Sequence, residues 1–388
     1  MGRVIIFTGK GGVGKTTVAA AHAVKAAKDG KKTLVVSTDM AHNLSDLFMK
    51  EIKEEPVEIK NNLWALEIDS NYEMGRHYGS IVEAFKKMLP YGSGVDGEVL
   101  EDIVVFPGIE ELFSLLKIKE IYDQNTFDLI IVDCAPTGET LSLLKFPELF
   151  SWYMERFFPI EKVAMKILRP ISKVAFKLEL PDELAMNDIE KLYVKLGSLQ
   201  NLLKNREVCS VRLVTIPEKM VVEETKRSYM YLNLYNFNVD GLYINRIIPE
   251  NVDNHFFDQW KEIQKNYLEE INSVFTNIPI YKIKWYEVDI NGVGALERII
   301  EDSLDDRNIF KVLKTIINET FEKTEKGYRL DVYVPFADKR EFDLFESGSD
   351  IIVKIGNFKR NIPIPHTIKK YSIASAQLNN GALSIYFE

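Results

Sequence analysis

Cysteine is nearly missing from this chain: Cys134 and Cys209 are the only two in 388 residues. They stand far apart and neither belongs to a C-x-x-C pair, which excludes a disulfide framework and argues against a structural zinc site. A reducing, cytoplasmic setting is expected. Positive charge is also short, since 49 Lys and Arg against 58 Asp and Glu leave a net charge of −9. A diffusely acidic surface repels phosphate backbones and anionic headgroups, so no nucleic-acid partner and no direct membrane insertion are expected. No apolar run approaches the ~20 residues needed to span a bilayer. Any connection to a membrane therefore runs through a partner protein or a cargo. A secretory signal is not expected, because the apolar run from Val4 to Phe7 leads directly into a glycine loop. Position 6 is Ile6 rather than the Ser or Thr that a myristoylation signal needs.

Apolar residues make up 46% and charged residues 28%, the mixture of an ordinary globular protein with length for two or three domains. Arg3-Val-Ile-Ile-Phe-Thr8 reads as a strand, followed by a glycine loop and an alanine-rich helix from Thr17 to Lys28 that stops at Asp29-Gly30. Buried-strand patterns recur at Lys32 to Ser37, Phe127 to Val132, Val211 to Ile216 and Gly241 to Ile244, with helical stretches between them. Strands alternating with helices argue for a mostly parallel sheet covered on both faces. In such sheets ligands sit beyond the carboxyl ends of the strands, where Asp39, Asp133 and the glycine loop all fall. Helical insertions are expected at about 70–125 and 148–204. After the charged run Glu322 to Gly327 the pattern changes to short strands, at Leu330 to Val334, Glu341 to Phe345, Asp350 to Ile355 and Ala382 to Phe387. The expected domains are 1–321 and an all-β appendage at 328–388.

The run Gly9-Lys10-Gly11-Gly12-Val13-Gly14-Lys15-Thr16 fits G-x-x-x-x-G-K-[ST] completely. Its glycines let backbone N–H groups ring the phosphates of ATP, and the following helix adds the positive end of its dipole. Lys15 neutralises the β- and γ-phosphates, and Thr16 offers a hydroxyl to Mg²⁺. The fold class that follows is α/β, a P-loop NTPase with a mostly parallel sheet and a helical subdomain, plus a small C-terminal all-β sandwich. Lys10, a second lysine early in the loop, marks the deviant form of this motif; the plainer alternative is a solvated loop lysine.

Ser37-Thr-Asp39-Met-Ala-His-Asn43-Leu-Ser-Asp46 and Asp133-Cys-Ala-Pro-Thr-Gly138 resemble the switch I and switch II segments of the ArsA-type ATPases, which include arsenite-pump ATPases and tail-anchored-protein targeting factors. Ile216-Pro-Glu218, Tyr243-Ile-Asn245-Arg and Gln264-Lys-Asn-Tyr-Leu268 match the family too, and the resemblance covers roughly residues 1 to 320. It implies a nucleotide-sandwich homodimer in which Lys10 reaches the phosphates held by the other subunit. By the same resemblance Asp39 positions the attacking water, Asp133 senses Mg²⁺ and γ-phosphate, and Asn245 reads the adenine. Thr17 and Asn43 complete the expected nucleotide contacts. Either aspartate alone would also serve as a helix cap, and His42 is read as structural.

The chain departs from the family in three ways. Two cysteines cannot make a three-thiolate arsenite site within one chain. The stretch Asn251 to Gln259 has no cysteine where eukaryotic targeting factors hold a zinc, so no zinc is expected and a dimer rests on apolar packing and shared nucleotide. Met40 stands where the family typically has proline. The C-terminal stretch from Ile362 to Ile385 resembles the α-crystallin-like, small heat-shock-type domain fused to some members.

Ile160, Val163, Ala164, Ile167, Leu168, Ile171, Val174, Ala175 and Leu178 follow the spacing of one helical face, with lysines opposite and Pro170 expected to kink or divide the helix. Such a stripe serves as core, as dimer interface or as a client groove; Met154, Met165 and Met186 suit an adaptable apolar surface. Two functions remain in view, a nucleotide-gated carrier of hydrophobic segments and the motor subunit of an anion or metalloid pump. A partitioning ATPase is the weaker third, because the chain ends in strands rather than in an amphipathic helix.

Overall fold

A computed structural model of the chain describes residues 2–39, 43–69, 72–73, 75, 109–134, 183–304, 308–313, 318–338, 342–347, 350–356, 358–365, 368 and 370–388. The first part is built around one eight-stranded sheet. Its strands in chain order are β1 (Arg3–Thr8), β2 (Thr33–Ser37), β3 (Val57–Lys60), β4 (Leu63–Glu67), β5 (Leu129–Asp133), β6 (Cys209–Thr215), β7 (Val239–Ile247) and β8 (Ile280–Lys284). They lie side by side as β3-β4-β2-β5-β1-β6-β7-β8, and every pair is parallel except β3 with β4. Alternate side chains of the central strands feed two cores: Val4 and Ile6 face one, Ile5 and Phe7 the other.

Helices α1 (Lys15–Lys28), α2 (Asn43–Phe48) and α7 (Gly292–Ser303) cover the second face. Six of the eleven buried residues of helix α1 are alanine, and the helix ends where Gly30 takes a left-handed φ of 83°. The first face is covered by α3 (Ile109–Asp123), α4 (Glu183–Lys204), α5 (Lys219–Leu234) and α6 (His255–Val274). Helix α4 buries Leu192, Leu196, Leu199, Leu202 and Leu203, the stripe expected of an amphipathic helix. Helices α3 and α4 fall within the two helical insertions expected from sequence. The stripe from Ile160 to Leu178, with Pro170, Met154 and Met165, lies outside the described residues. No helix among the described residues is long and apolar enough to cross a membrane.

A buried ionic network fastens the far end of this unit to the sheet. Arg212, fully enclosed, places Nε 3.0 Å from Asp240 Oδ1 and donates to the Tyr243 hydroxyl at 3.0 Å and to the Ile309 carbonyl. Arg3 donates to the other oxygen of Asp240 at 2.7 Å, to Ser210 Oγ at 3.1 Å and to the Phe310 carbonyl. Because each buried charge has a partner, the cost of desolvation is offset, and removing one partner would strand the rest.

The C-terminal part has a four-stranded sheet, β14-β15-β10-β9, and a three-stranded sheet, β11-β12-β13. These strands are β9 (Glu319–Lys323), β10 (Tyr328–Tyr333), β11 (Phe342–Ser347), β12 (Asp350–Ile355), β13 (Phe358–Pro363), β14 (Ile373–Asn379) and β15 (Ala382–Phe387). All pairings are antiparallel, and Leu330, Val332, Ile351, Val353, Leu383 and Ile385 share one core. Strand β9 precedes the boundary expected at 328. The charged run is the β9–β10 hairpin turn, closed by Thr324 N–H to Gly327 O at 2.9 Å. Gly327 is obligatory there, since a Cβ would lie 1.9 Å from the Phe387 carbonyl oxygen.

This part docks on the end of α5. Arg360 donates to the Leu234 carbonyl and to Glu319, the Tyr235 hydroxyl donates to the Lys359 carbonyl at 2.8 Å, and Asn318 Nδ2 donates to the Phe237 carbonyl at 2.8 Å. Phe275 meets Tyr229 and Phe336 edge to face, and Tyr229 and Phe336 lie tilted to each other across the seam, with centroids 5.3 to 6.2 Å apart.

Candidate functional site

Strand register assembles the site. Phe7, Asp133 and Ser37 sit side by side on β1, β5 and β2, and Glu67 lies next to Ser37 on β4. The carboxyl ends of these strands are therefore level, and whatever follows each strand meets at one edge. After β1 the chain turns through the glycine loop. A Cβ on Gly9 would come within 2.2 Å of the Val214 carbonyl oxygen, and Gly12 and Gly14 take left-handed φ values of 80° and 89°. Gly14 caps α1 without any side-chain hydrogen bond, so the first N–H groups of a 14-residue helix stay free for an anion.

The charges fit that reading. Lys15 is buried, and its Nζ reaches only the Lys10 carbonyl, at 3.4 Å. Among the described residues no carboxylate forms a salt bridge with it. Asp133 is 1% exposed, and burial pushes its pKa up to about 7 against the opposing pull of the Thr16 hydroxyl, Lys15 and the Ser37 hydroxyl; Asp39 adds a further push upward. Among the described residues neither carboxylate oxygen of Asp133 has a hydrogen bond of ordinary geometry, and the buried hydroxyls of Thr8 and Thr38 lack one as well. Four unpartnered buried oxygens at one strand edge mark a place built to receive something. Hard oxygen donors from Thr16 and Asp133 suit a small divalent cation, so these residues fit Mg²⁺.

Asp39 is half-buried, follows β2 and accepts position from Ser37, whose Oγ takes the Asp39 N–H at 3.2 Å. Asn43 opens α2, which a residue overlooked in the sequence holds in place. Buried Glu67 accepts the N–H groups of Leu44 and Ser45 at 2.9 Å each, and the Ser45 hydroxyl at 2.8 Å. A carboxylate under the N-terminus of a short helix neutralises its free donors and ties switch I to the sheet. The signal available was the acidic end of Leu63-Trp-Ala-Leu-Glu67, but only the register with Ser37 shows that it reaches the site.

Lys10 projects the other way. Its side chain is 37% exposed, and its Nζ stands 4.0 Å from Glu224 Oε2 on α5, the outer limit of an ion pair. Asn245 comes from β7, behind the loop, where its Nδ2 donates to the Val13 carbonyl at 2.9 Å and its Oδ1 accepts the Arg246 N–H at 2.9 Å. The chain thus gathers Lys15, Thr16, Asp39, Asp133 and Asn245 around one loop, with Thr17 half-buried in the first turn of α1. Met40, His42 and the rest of switch II from 135 to 138 lie outside the described residues.

Two family models match the chain. One, described as an anion-transporting ATPase, spans residues 2–305; the other, described as an HSP20-like domain found in ArsA, spans residues 325–387. The "Putative arsenical pump-driving ATPase 1" of Aquifex aeolicus is 32% identical, with 99% of each chain covered. The "Putative arsenical pump-driving ATPase" of Chlorobaculum tepidum is 34% identical over the whole of this chain and 96% of its own. The "ATPase get3" of Pyrenophora tritici-repentis is 28% identical, covering 77% of this chain and 90% of its own.

Proposed function

Because the chain belongs to the ArsA family of anion-transporting ATPases, we propose that binding of Mg-ATP closes a homodimer and hydrolysis reopens it, and that this dimer carries hydrophobic segments of membrane proteins through the cytoplasm. In the hydrolytic step Lys15 balances the phosphate charge from within the loop. Asp39 orients the attacking water at the end of β2, and Asn245 contacts the adenine. Thr16 and Asp133 hold Mg²⁺, which when bound neutralises charge on the β- and γ-phosphates.

The observation that carries the dimer is Lys10. A loop that already encloses Lys15 has a second lysine whose side chain is 37% exposed and whose ion pair among the described residues is a 4.0 Å contact. Phosphates held by a second copy give that charge its purpose. A patch of exposed Phe256, Trp260, Ile263 and Trp285 follows the nucleotide end of β7 and offers apolar packing to the same partner.

Two buried cysteines favour the carrier over a pump. Burial pushes the Cys209 thiol up to about 12, so it is not a thiolate at neutral pH, and As(III) needs clustered thiolates. The second reading, the motor subunit of an arsenite or other anion pump docked to a membrane partner, is favoured by the names of the relatives from Aquifex and Chlorobaculum.

The test is co-expression of Asp39→Asn with a tagged tail-anchored segment, scored as ATP-dependent co-purification, alongside arsenite stimulation of the parent ATPase. Stoichiometric capture that is lost when Ile167 and Ile171 become aspartate supports the carrier. No capture together with clear arsenite stimulation replaces it with the pump.

A further inference from the structure

The glycine loop is braced from a strand two places away. Strand order runs β1-β6-β7, and Asn245 follows Ile244, which pairs with Thr215 on β6. Its side chain spans 232 positions of sequence to reach the loop, with Nδ2 at 2.9 Å from the Val13 carbonyl oxygen. The peptide between Val13 and Gly14 is planar and trans, so its N–H points opposite to its C=O. Drawing the Val13 carbonyl toward β7 therefore turns the Gly14 N–H away from β7.

Four further features show how tightly this contact is set. Asn245 is itself fixed, because its Oδ1 accepts the N–H of Arg246 at 2.9 Å. Arg246 adopts a left-handed φ of 54°, a conformation that costs a non-glycine residue energy. The α-carbon of Gly14 packs so closely on the amide that a Cβ there would lie 2.4 Å from Nδ2. Asn245 is only 8% exposed, so its hydrogen bonds do not compete freely with water.

We infer that Asn245 is a positioning residue for hydrolysis: through the Val13 carbonyl it aims the Gly14 N–H at the phosphates, independently of any contact with the base. This rests on ATP hydrolysis alone and on no choice of client or dimer. A residue that only reads adenine and one that sets a phosphate donor differ in what they change. The first alters how strongly ATP binds; the second also alters stabilisation of the transition state, so kcat falls.

The experiment compares Asn245→Ala and Asn245→Asp with the parent in steady-state ATP hydrolysis and in inhibition by tripolyphosphate with Mg²⁺, a base-free probe. Asn245→Asp keeps the acceptor for Arg246 N–H and sets an oxygen against the Val13 carbonyl. Both variants are expected to lose about 10-fold in kcat at saturating ATP, the cost of misaiming one fixed donor. The tripolyphosphate inhibition constant should rise in parallel. An unchanged kcat with a raised KM, or an unchanged tripolyphosphate constant, overturns the inference. Circular-dichroism melting confirms that each variant is folded, and Asn245→Ser, smaller and uncharged, replaces any variant that is not.

Discussion

The two sheet systems bury their strands in opposite ways. In the nucleotide-binding sheet β2, β5 and β6 are buried at every residue, because helices cover both faces. In the C-terminal sheets β10 and β15 alternate between buried and half-buried, one face inward and one toward water. Their polar groups differ as well. At the carboxyl edge of the parallel sheet, oxygens of Asp133, Thr8 and Thr38 lack hydrogen bonds of ordinary geometry among the described residues. On the antiparallel sheet Arg329 bridges Asp331 and Glu322 across strands, and Ser384 also donates to Asp331. One sheet leaves its bonding capacity open at a single edge and gains a site; the other satisfies its charges internally and gains a shell.

Lys15→Ala strikes the open edge alone. Turnover should fall by about 1,000-fold, roughly 4 kcal/mol of transition-state stabilisation, while the melting temperature changes little, because among the described residues Lys15 makes no salt bridge and its hydrogen bond to Lys10 O is long. Leu383→Ala is the opposite stroke. Leu383 is fully enclosed in the C-terminal core, and its truncation should cost about 3 kcal/mol in chemical denaturation. ATP turnover per folded molecule should stay within twofold of the parent; a larger loss would mean that the shell controls the site. Tyr235→Phe probes the seam, removing the bond to the Lys359 carbonyl, and should cost about 1 kcal/mol in the same denaturation.

The smallest effect is one of pH. His22 is enclosed on α1 between Phe7 and Tyr243, and burial together with Arg212 and Lys25 holds its pKa well below the ordinary value. The folded protein thus binds fewer protons than the unfolded chain as pH falls below ~6.5, so stability contributed by neutral His22 is present above that pH and lost below it. His22→Phe should flatten that acid limb, with its advantage over the parent widening from pH 7 to pH 5 in thermal melts.

Much of this was legible in the residue order. Continuous apolar runs marked β1, β2, β5 and β6, and the change to short strands after the charged run marked β10 and β15. Strand β9 escaped notice because Glu319-Thr-Phe-Glu-Lys323 is mostly polar and reads as a linker; Phe321, stacked 6.0 Å from Phe387, is its one large apolar side chain. Strand β14 was missed for a similar reason, since most of its side chains face water. At the site, Lys15, Thr16 and Asp133 stood in recognisable motifs. The grip of Glu67 on α2 and of Asn245 on Val13 did not, because each depends on register between segments distant in sequence.

Helix α5 has two owners. Glu224 near its start stands beside Lys10, and its last residue, with Tyr235 just beyond, receives Arg360 and meets Lys359. A gene cut back to residue 313 would encode an intact glycine loop but leave the Leu234 carbonyl and the aromatic face at Tyr229 open to water. Those groups would then need water or new neighbours to replace what the tail supplies. In this chain the C-terminal shell thus serves as the cover of α5, and the ATPase surface beneath it is shaped to be covered.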